Sequence, residues 1–480
     1  MIRVLLVIVL AALAGCALKP PPMHSEVLSQ ALPAKTRIPA AWKADPNASP
    51  VSDDWLKSFN DPALDAIVAE AIAHNLDLRQ AVERVRVAQQ NVVLVGSQLL
   101  PQIGLQLGAS ATRDKDQDEN FNTTSAYAGV AWELDIWGRL RAQRAAAEAE
   151  FQATALDYAY ARQSLAALVA KSWYLAIETR QLVALGERTV KVFGELLELV
   201  KARRTAGKDS DLDVVDVRAK LETARSQLEA ARTAYGAVRR ALEVLLGRYP
   251  AAEIEVAQSY PHLPPLVGAG VPARLLERRP DILAAERAVL AAFRQQEAAT
   301  LALRPDFSIS LIGGRFSDQI LSILDLNPWL ASAGIGVSVP IYQGGALRAQ
   351  VKIATAQQAQ AVAHYGAVAL AAFRETENAL ANEQFLVKRV GFEQRALANR
   401  TAAVQIATTQ YLAGRRDLLW VAQLQTAQFI TEATVIKLRS AQGANRIRLH
   451  LALGGSFDAK PAATMPAPAP SPRPSTKAGT

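Results

Sequence analysis

GRLRAQRAAAEAEFQATALDYAYARQSLAALVAKSWYLAIETRQLVALGERTVKVFGELLELVKARRTAG, Gly138 to Gly207, decides the fold. It holds no proline, and between its ends glycine occurs only at Gly186 and Gly194. Ala, Glu, Arg, Gln and Leu dominate, all strong helix formers. As one helix it is roughly 100 Å long at ~1.5 Å per residue, far beyond the usual globular length. Its C-terminal part sets Leu182, Leu185, Thr189, Val192, Leu196 and Leu199 at alternating steps of three and four. The next run repeats the pattern with Val214, Val217, Leu221, Ala224, Leu228, Ala231, Tyr235, Val238, Leu242 and Leu245. That is the heptad seam of helices in coiled-coil contact. Between the runs lies Thr205-Ala206-Gly207-Lys208-Asp209-Ser210-Asp211. Gly207 suits the left-handed residue that ends a helix, and Asp209 or Ser210 can cap the next one. The spacing therefore predicts a long antiparallel helical hairpin over 138–247.

Upstream the period changes. Ile103, Leu105, Leu107, Ala109 and Ala111 alternate with Gln102, Gly104, Gln106, Gly108 and Ser110, a strand of about 101–112. A polar segment, Arg113 to Thr124, leads to a second alternation over about 126–136, with Ala126, Ala128, Val130, Trp132 and Leu134 on one face. Before the strands, residues from Trp55 to Gln98 read as helical with a break near Asn75.

Downstream, the proline- and glycine-rich stretch 249–272 is a connector, and after it the arrangement returns. Pro101 is answered by Pro305, Gly138-Arg139-Leu140-Arg141-Ala142 by Gly345-Ala346-Leu347-Arg348-Ala349, Ala206-Gly207 by Ala413-Gly414, and Leu246-Gly247 by Leu453-Gly454. Anchors in one order at a near-constant offset of about 205 residues mark a duplication. The expected division is a first repeat over 54–248 and a second over 273–455. The second carries strands near 305–316 and 332–341 and helices near 344–412 and 417–453. The tail 456–480 is rich in Pro, Ala, Ser and Thr and reads as disordered.

Composition narrows the function. Half of the 480 residues are hydrophobic, ample for a large core, and only 6% are aromatic. The net charge of +8 comes from bases scattered among acids along helix faces, the pattern of a solvated surface, so nucleic acid is not an expected partner. The only cysteine is Cys16, which excludes an intrachain disulfide. It follows Met1-Ile2-Arg3, an apolar run Val4 to Leu13, and Ala14-Gly15. That is a charged start, a core too short to span a bilayer and a small-residue end, as in a secretory signal over 1–15. Leu13-Ala14-Gly15-Cys16 looks like a bacterial lipoprotein cleavage box, which implies lipidation at Cys16. Ala17 follows where an aspartate would imply inner-membrane retention, so outer-membrane lipid is the implied neighbour. Residues 16–53, with seven prolines from Pro20 to Pro50, read as the lipidated N-terminus and an extended linker.

Each strand has one apolar face and one of small or polar residues. A soluble sandwich and a membrane barrel both fit that alternation; strand length, polar loops, the outer-membrane address and Trp132 near a strand end favour the barrel. Four strands cannot close one, and open edges cannot sit in lipid. The chain must oligomerise if its strands span.

The two halves, Trp132-Glu133-Leu134-Asp135-Ile136-Trp137-Gly138-Arg139 after one strand, Val339-Pro340-Ile341-Tyr342-Gln343-Gly344-Gly345 after another, and Arg278-Arg279-Pro280-Asp281 closely resemble the TolC-like outer-membrane factor family. More narrowly they are similar to the outer-membrane lipoproteins (NodT-type) of resistance–nodulation–division efflux pumps, over roughly residues 16–455. The resemblance implies a mainly α protein with a membrane β-barrel. It implies a homotrimer whose twelve strands form one barrel above a periplasmic α-helical barrel. It implies a periplasmic adaptor and an inner-membrane resistance–nodulation–division pump as partners, with this chain as the passive exit duct for small molecules. It also implies a constriction at the periplasmic helix ends, often an aspartate ring. Here Trp420 and Gln423 stand where relatives often carry aspartates, so Leu419 and Trp420 are candidates for an apolar gate and Arg416 for a latch. Asp213 and Asp216 are the acidic candidates at the equivalent first-half turn. Gly207, Lys208, Asp209, Gly414 and Arg415 are the candidate adaptor contacts. The bland reading of all these is hairpin packing.

An enzyme is not expected, nor is a cofactor or metal. The five histidines are far apart and outside any HExxH pattern, and there is no Walker loop or GxSxG. Alternatives are a duct for type I protein secretion or for metal cations, and a periplasmic coiled-coil scaffold, which leaves the strands unexplained.

Overall fold

A computed structural model of the chain describes residues 18–45, 50–114, 119–265, 268–317 and 330–458. In chain order the elements are α1 (His24–Ala31), α2 (Pro62–His74), α3 (Leu76–Ser97), β1 (Gln102–Asp114), β2 (Glu119–Leu134), α4 (Arg139–Thr205) and α5 (Asp211–Leu245). Then come α6 (Pro272–Arg278), α7 (Pro280–Leu301), β3 (Asp306–Ser317), β4 (Leu330–Ser338), α8 (Ala346–Leu412) and α9 (Leu418–Ala452). The chain forms two compact units.

The first unit comprises Met1–Arg37, Val82–Asp157 and Asp281–Leu370, and holds the sheet. Four antiparallel strands run in the order β1-β2-β3-β4. The register stacks Ile103 on Val130 and Leu311, and Trp132 on Ile309 and Ile335, along one face. The other face carries Gly104, Gly129, Gln106, Tyr127, Ser308 and Ser310. β2 begins at Glu119 and pairs with β1 out to Asp114, so the polar segment expected after Arg113 is largely strand. Backbone pairing overrides a polar composition wherever a partner strand is in register. β4 ends at Ser338, earlier than the expected 341; Pro340 has no N–H to give a ladder.

At the foot of β2, Asp135 caps α4 by accepting from the Leu140 and Arg141 amides at 3.0 and 2.9 Å. Gly138 supplies the left-handed turn there, φ +85°. The N-terminal segment is no featureless linker. Its α1 is fastened by the amide of Met23 donating to Glu26 at 3.0 Å, with His24 on Glu286 at 3.1 Å.

The second unit comprises Ile38–Ala81, Tyr158–Pro280 and Ala371–Thr480. Asp61 caps α2, and its second carboxylate oxygen accepts from the Trp173 indole at 3.0 Å. Asn75, buried, breaks the helix where expected: its side chain accepts from the Leu78 amide and donates to the Leu245 carbonyl, both at 3.0 Å. The core gathers Phe59, Leu64, Trp173, Tyr174, Ile177, Leu242 and Ile447, with Ile254 and Val256 from the connector. Glu243 holds that connector by accepting the amides of Ala252, Glu253 and Ile254. Burial alone would raise its carboxyl; the three amides outweigh it and hold it below the usual range.

The coiled-coil seam is present with one addition. Val214, Val217, Leu221, Ala224, Leu228 and Leu242 are buried as expected, as are Leu185, Thr189 and Leu196. Phe193, Leu197 and Val200 are buried as well, because α4 packs on two neighbours: α5, and α9 through Phe193 against Phe429. The tail begins later than Ser456. Phe457 lies in the core under Arg162, and the amides of Asp54 and Trp55 both donate to the Ser456 carbonyl. Residues 459–480 lie outside the described residues.

Candidate functional site

Two features of the chain bear on function. The first is the pair of helical turns in the second unit. α4 ends and α5 begins through Gly207, φ +68°, with Lys208 N–H donating to the Arg203 carbonyl at 2.9 Å. α8 and α9 are joined through Gly414, φ +73°, with Arg415 N–H donating to the Gln410 carbonyl at 2.8 Å. Both are Schellman closures, in which only glycine takes the left-handed position without strain. Of the two caps the sequence allowed, Ser210 caps α5, and Asp417 caps α9 by accepting from the Trp420 amide at 3.1 Å.

Asp209, freed from capping, joins the two turns. Its carboxylate accepts from Arg203 Nε at 3.1 Å and from the Tyr411 hydroxyl at 2.5 Å, and the Arg203 guanidinium lies 4.4 Å over the Tyr411 ring. Tyr411 is 1% exposed. Burial pushes its phenol well above the usual range, and the bond to Asp209 adds to that. For Arg203, burial alone would lower the guanidinium; the bonds to Asp209 and Tyr411 outweigh it and raise it. The group stays protonated, the carboxylate accepts, and all three side chains are mutually satisfied. Sequence reasoning missed Arg203 and Tyr411. The available signal was a tyrosine on the buried face of a helix, whose hydroxyl must find a partner.

Between the turns lies a cleft of about 660 Å³ whose polar lining includes Arg203, Lys208, Asp209, Asp213, Arg416 and Asp417. Gly207 and Gly414 also reach it; Asp216, Leu419, Trp420, Gln423 and Arg415 do not. Asp213 is a helix cap, accepting from Ser210 N and Oγ at 2.9 and 2.6 Å. Asp216 is held by Lys220 at 2.7 Å. Both carboxylates have partners on their own helix. Leu419 and Trp420 are 45% and 48% exposed, and the Arg416 guanidinium lies 5.7 Å over the Trp420 ring. Gln423 is exposed too. Among the described residues no group of three or more His, Cys, Asp or Glu is placed to hold a metal ion.

The second feature is the sheet of the first unit. Ile103, Leu105 and Leu107 on β1 are 78%, 73% and 69% exposed, and Ile335 on β4 is 80% exposed. A sheet in water hides such a face; here it is bare, and the outer edges of β1 and β4 are unpaired among the described residues. The opposite face is lined by glycine, serine and glutamine, with Tyr127 donating to Gln106. Gly314 admits the β2 backbone, since a Cβ there would lie 2.3 Å from the Ala126 carbonyl. No described helix is long and apolar enough to cross a membrane. Cys16, the expected lipidation site, lies outside the described residues.

The family model described as outer membrane efflux protein matches residues 67–248 and 271–455, most of the chain. The chain is 29% identical over 461 residues to a Pseudomonas aeruginosa protein named pyoverdine export outer membrane protein OpmQ, spanning 93% of this chain and 95% of that one. It is 26% identical over 450 residues to the cation efflux system protein CusC of Escherichia coli K12, spanning 92% and 97% respectively. The solved structure of the outer-membrane channel OprN superposes with a TM-score of 0.79 at 26% identity, covering 89% of this chain and 99% of the other.

Proposed function

Since the chain belongs to the outer membrane efflux protein family, we propose that it is the passive exit duct of a tripartite pump, closed by three copies into one twelve-stranded barrel. It takes small molecules from a periplasmic adaptor and an inner-membrane resistance–nodulation–division pump to the exterior. The observation that carries this is the bare apolar face of a four-stranded sheet whose outer edges are unpaired among the described residues. Lipid satisfies the face, and neighbouring copies satisfy the edges. The glycine- and serine-lined face then borders water.

The two halves, each with two strands and a long helical hairpin, are a duplicated unit. Gly207 and Gly414 place their hairpin turns, with Lys208 and Arg415, at the adaptor end. The Arg203–Asp209–Tyr411 cluster ties the turns of one protomer together and holds the resting duct narrow. Leu419, Trp420 and Gln423 line the constriction, with Arg416 stacked on Trp420. Lipid on Cys16 adds an anchor beside the barrel. Relatives named for pyoverdine and for cations share the architecture, so cargo is chosen by the pump.

The test is conductance of the purified protein in planar bilayers. Discrete, uniform channels support the duct; a protein that leaves bilayers electrically silent contradicts it.

A further inference from the structure

All four strands meet their flanking elements at one end of the sheet, where Gln102 pairs with Ala131, Leu134 with Phe307, and Asp306 with Ser338. Aromatic and basic side chains collect there. The Trp132 indole donates to the Leu99 carbonyl at 3.0 Å, and the Trp137 indole donates to the Pro305 carbonyl at 2.8 Å. The Arg304 guanidinium lies 4.8 Å over the Trp137 ring. Leu100 and Tyr342, at the same end, are 63% and 87% exposed.

The neighbouring arginines are already matched. Arg139 bridges Glu133 at 2.7 Å and Asp306 at 3.9 Å, and Arg141 is on Asp135 at 3.1 Å. Arg304 is exposed and has no carboxylate partner among the described residues. Its charge lies over an indole, and the side chain is open to solvent. A guanidinium matches a phosphate with paired N–H donors. An indole beside it, polar edge satisfied and ring half-exposed, is the side chain that settles at the level between headgroup and acyl chain.

The N-terminal segment also reaches this end of the sheet. Leu18, the first described residue, packs where a side chain on Gly138 would lie, 3.4 Å from that position and next in sequence to Trp137. The segment is clamped there: the Lys19 amide donates to Glu297 and the Lys19 carbonyl accepts from Arg294, both at 2.8 Å. Cys16 stands two residues earlier in the chain, a reach of about 7 Å at ~3.5 Å per residue. The lipidation expected at Cys16 would put its acyl chains within that reach of Leu18.

We propose that Trp137 and Arg304 form a headgroup site for an anionic phospholipid of the periplasmic leaflet, the guanidinium taking the phosphate and the indole lying at the glycerol. The inference rests on the reading above that the sheet spans the outer membrane with its helices on the periplasmic side. Each protomer carries one such site, so an assembled barrel would be collared by bound lipid at its inner rim. The cationic ammonium tip of a phosphatidylethanolamine compensates the phosphate within its own headgroup. Phosphatidylglycerol leaves it uncompensated and so binds a lone cation better.

The experiment is native mass spectrometry of the full-length protein released from nanodiscs holding equal phosphatidylglycerol and phosphatidylethanolamine. The expected result is a roughly five-fold enrichment of phosphatidylglycerol among retained lipids, the worth of one basic side chain at an anionic surface. Arg304→Gln should bring the ratio to one. Arg395→Gln, which removes an arginine stacked on Phe392 within α8, should leave it unchanged. Enrichment that survives Arg304→Gln, or that Arg395→Gln also abolishes, overturns the site. Inorganic phosphate retained on the detergent-purified protein and lost in Arg304→Gln, with no phosphatidylglycerol preference in nanodiscs, shows a free-anion site and overturns the lipid assignment. Conductance of the same samples separates the two readings. A protein that conducts but shows no preference refutes the headgroup site alone, whereas one that never enters bilayers refutes the duct as well.

Discussion

Tyr411 shows what a single side chain does in this fold. Its hydroxyl is buried, and Asp209 is its partner from 202 residues away in sequence. Tyr411→Phe keeps the ring under Arg203 and removes only the hydroxyl. A hydrogen bond to a charged group contributes on the order of 1.5–3 kcal/mol, so the tie between the turns should loosen while each helix persists. Expected are a several-fold rise in the conductance of the resting channel and little change in helix content by circular dichroism; unchanged conductance removes the tie from the gate. Trp420→Ala tests the constriction separately, and should raise conductance or antibiotic leak without altering the Asp209 cluster. His450 makes a different prediction. It is 1% exposed, stacked 5.6 Å from Trp55, near Phe59, and neither ring nitrogen has a hydrogen-bond partner among the described residues. Burial, then the charge of Arg446, lowers its pKa to about 4. The unfolded imidazole takes its proton near pH 6.5 and the folded one only near 4, so the folded state binds fewer protons between them. The associated stability, on the order of 3 kcal/mol, is complete above about pH 6.5 and is lost as pH falls towards 4. The apparent melting temperature should drop over that window, and His450→Phe should flatten the drop.

Helices and strands were legible in the sequence to different depths. The turn glycines Gly207 and Gly414 could be found because a left-handed residue is a local demand. Asn75 could be found because a polar residue interrupts an apolar stripe. The strands announced themselves by alternation, but β2 ran seven residues further back than its apolar pattern, since Glu119 to Ser125 is held by β1 and not by hydrophobicity. Phe193, Leu197 and Val200 escaped the seam because a single heptad register describes one contact, and α4 makes two. The Arg203–Asp209–Tyr411 cluster was illegible for the same reason at longer range. Asp213 and Asp216 looked like free acids in sequence; their partners Ser210 and Lys220 lie three and four residues away and were readable. Close helix contact gives a sharp element-scale test. A Cβ on Gly443 of α9 would sit 2.0 Å from Cε1 of Tyr174, itself buried and stacked 5.8 Å from Tyr260. Gly443→Ala raises helix propensity yet overpacks this contact, which costs about 1–3 kcal/mol. The melting temperature should fall; a rise would mean that α4 and α9 do not pack this closely.

At the scale of the molecule, the sheet decides what kind of protein this is. Its apolar face is bare on β1 and β4, where Ile103 and Ile335 are 78% and 80% exposed. Its outer edges, β1 and β4, lie at opposite ends of the strand order. A chain that buried this face within itself would be a water-soluble sandwich; one that meets lipid must find its missing neighbours in other copies. The chain's sole cysteine is Cys16, so engineered thiols elsewhere report cleanly. The most direct measurement is oxidative cross-linking with one cysteine on β1 and one on β4, at Leu105 and Ile335 and at positions two residues to either side, on protein extracted from outer membranes. Because the two edges of one sheet are separated by β2 and β3, a bond between them must join different chains. The account predicts that at the matching register the protein migrates as a covalent trimer on denaturing gels. Folded protein that stays monomeric at every register would contradict it.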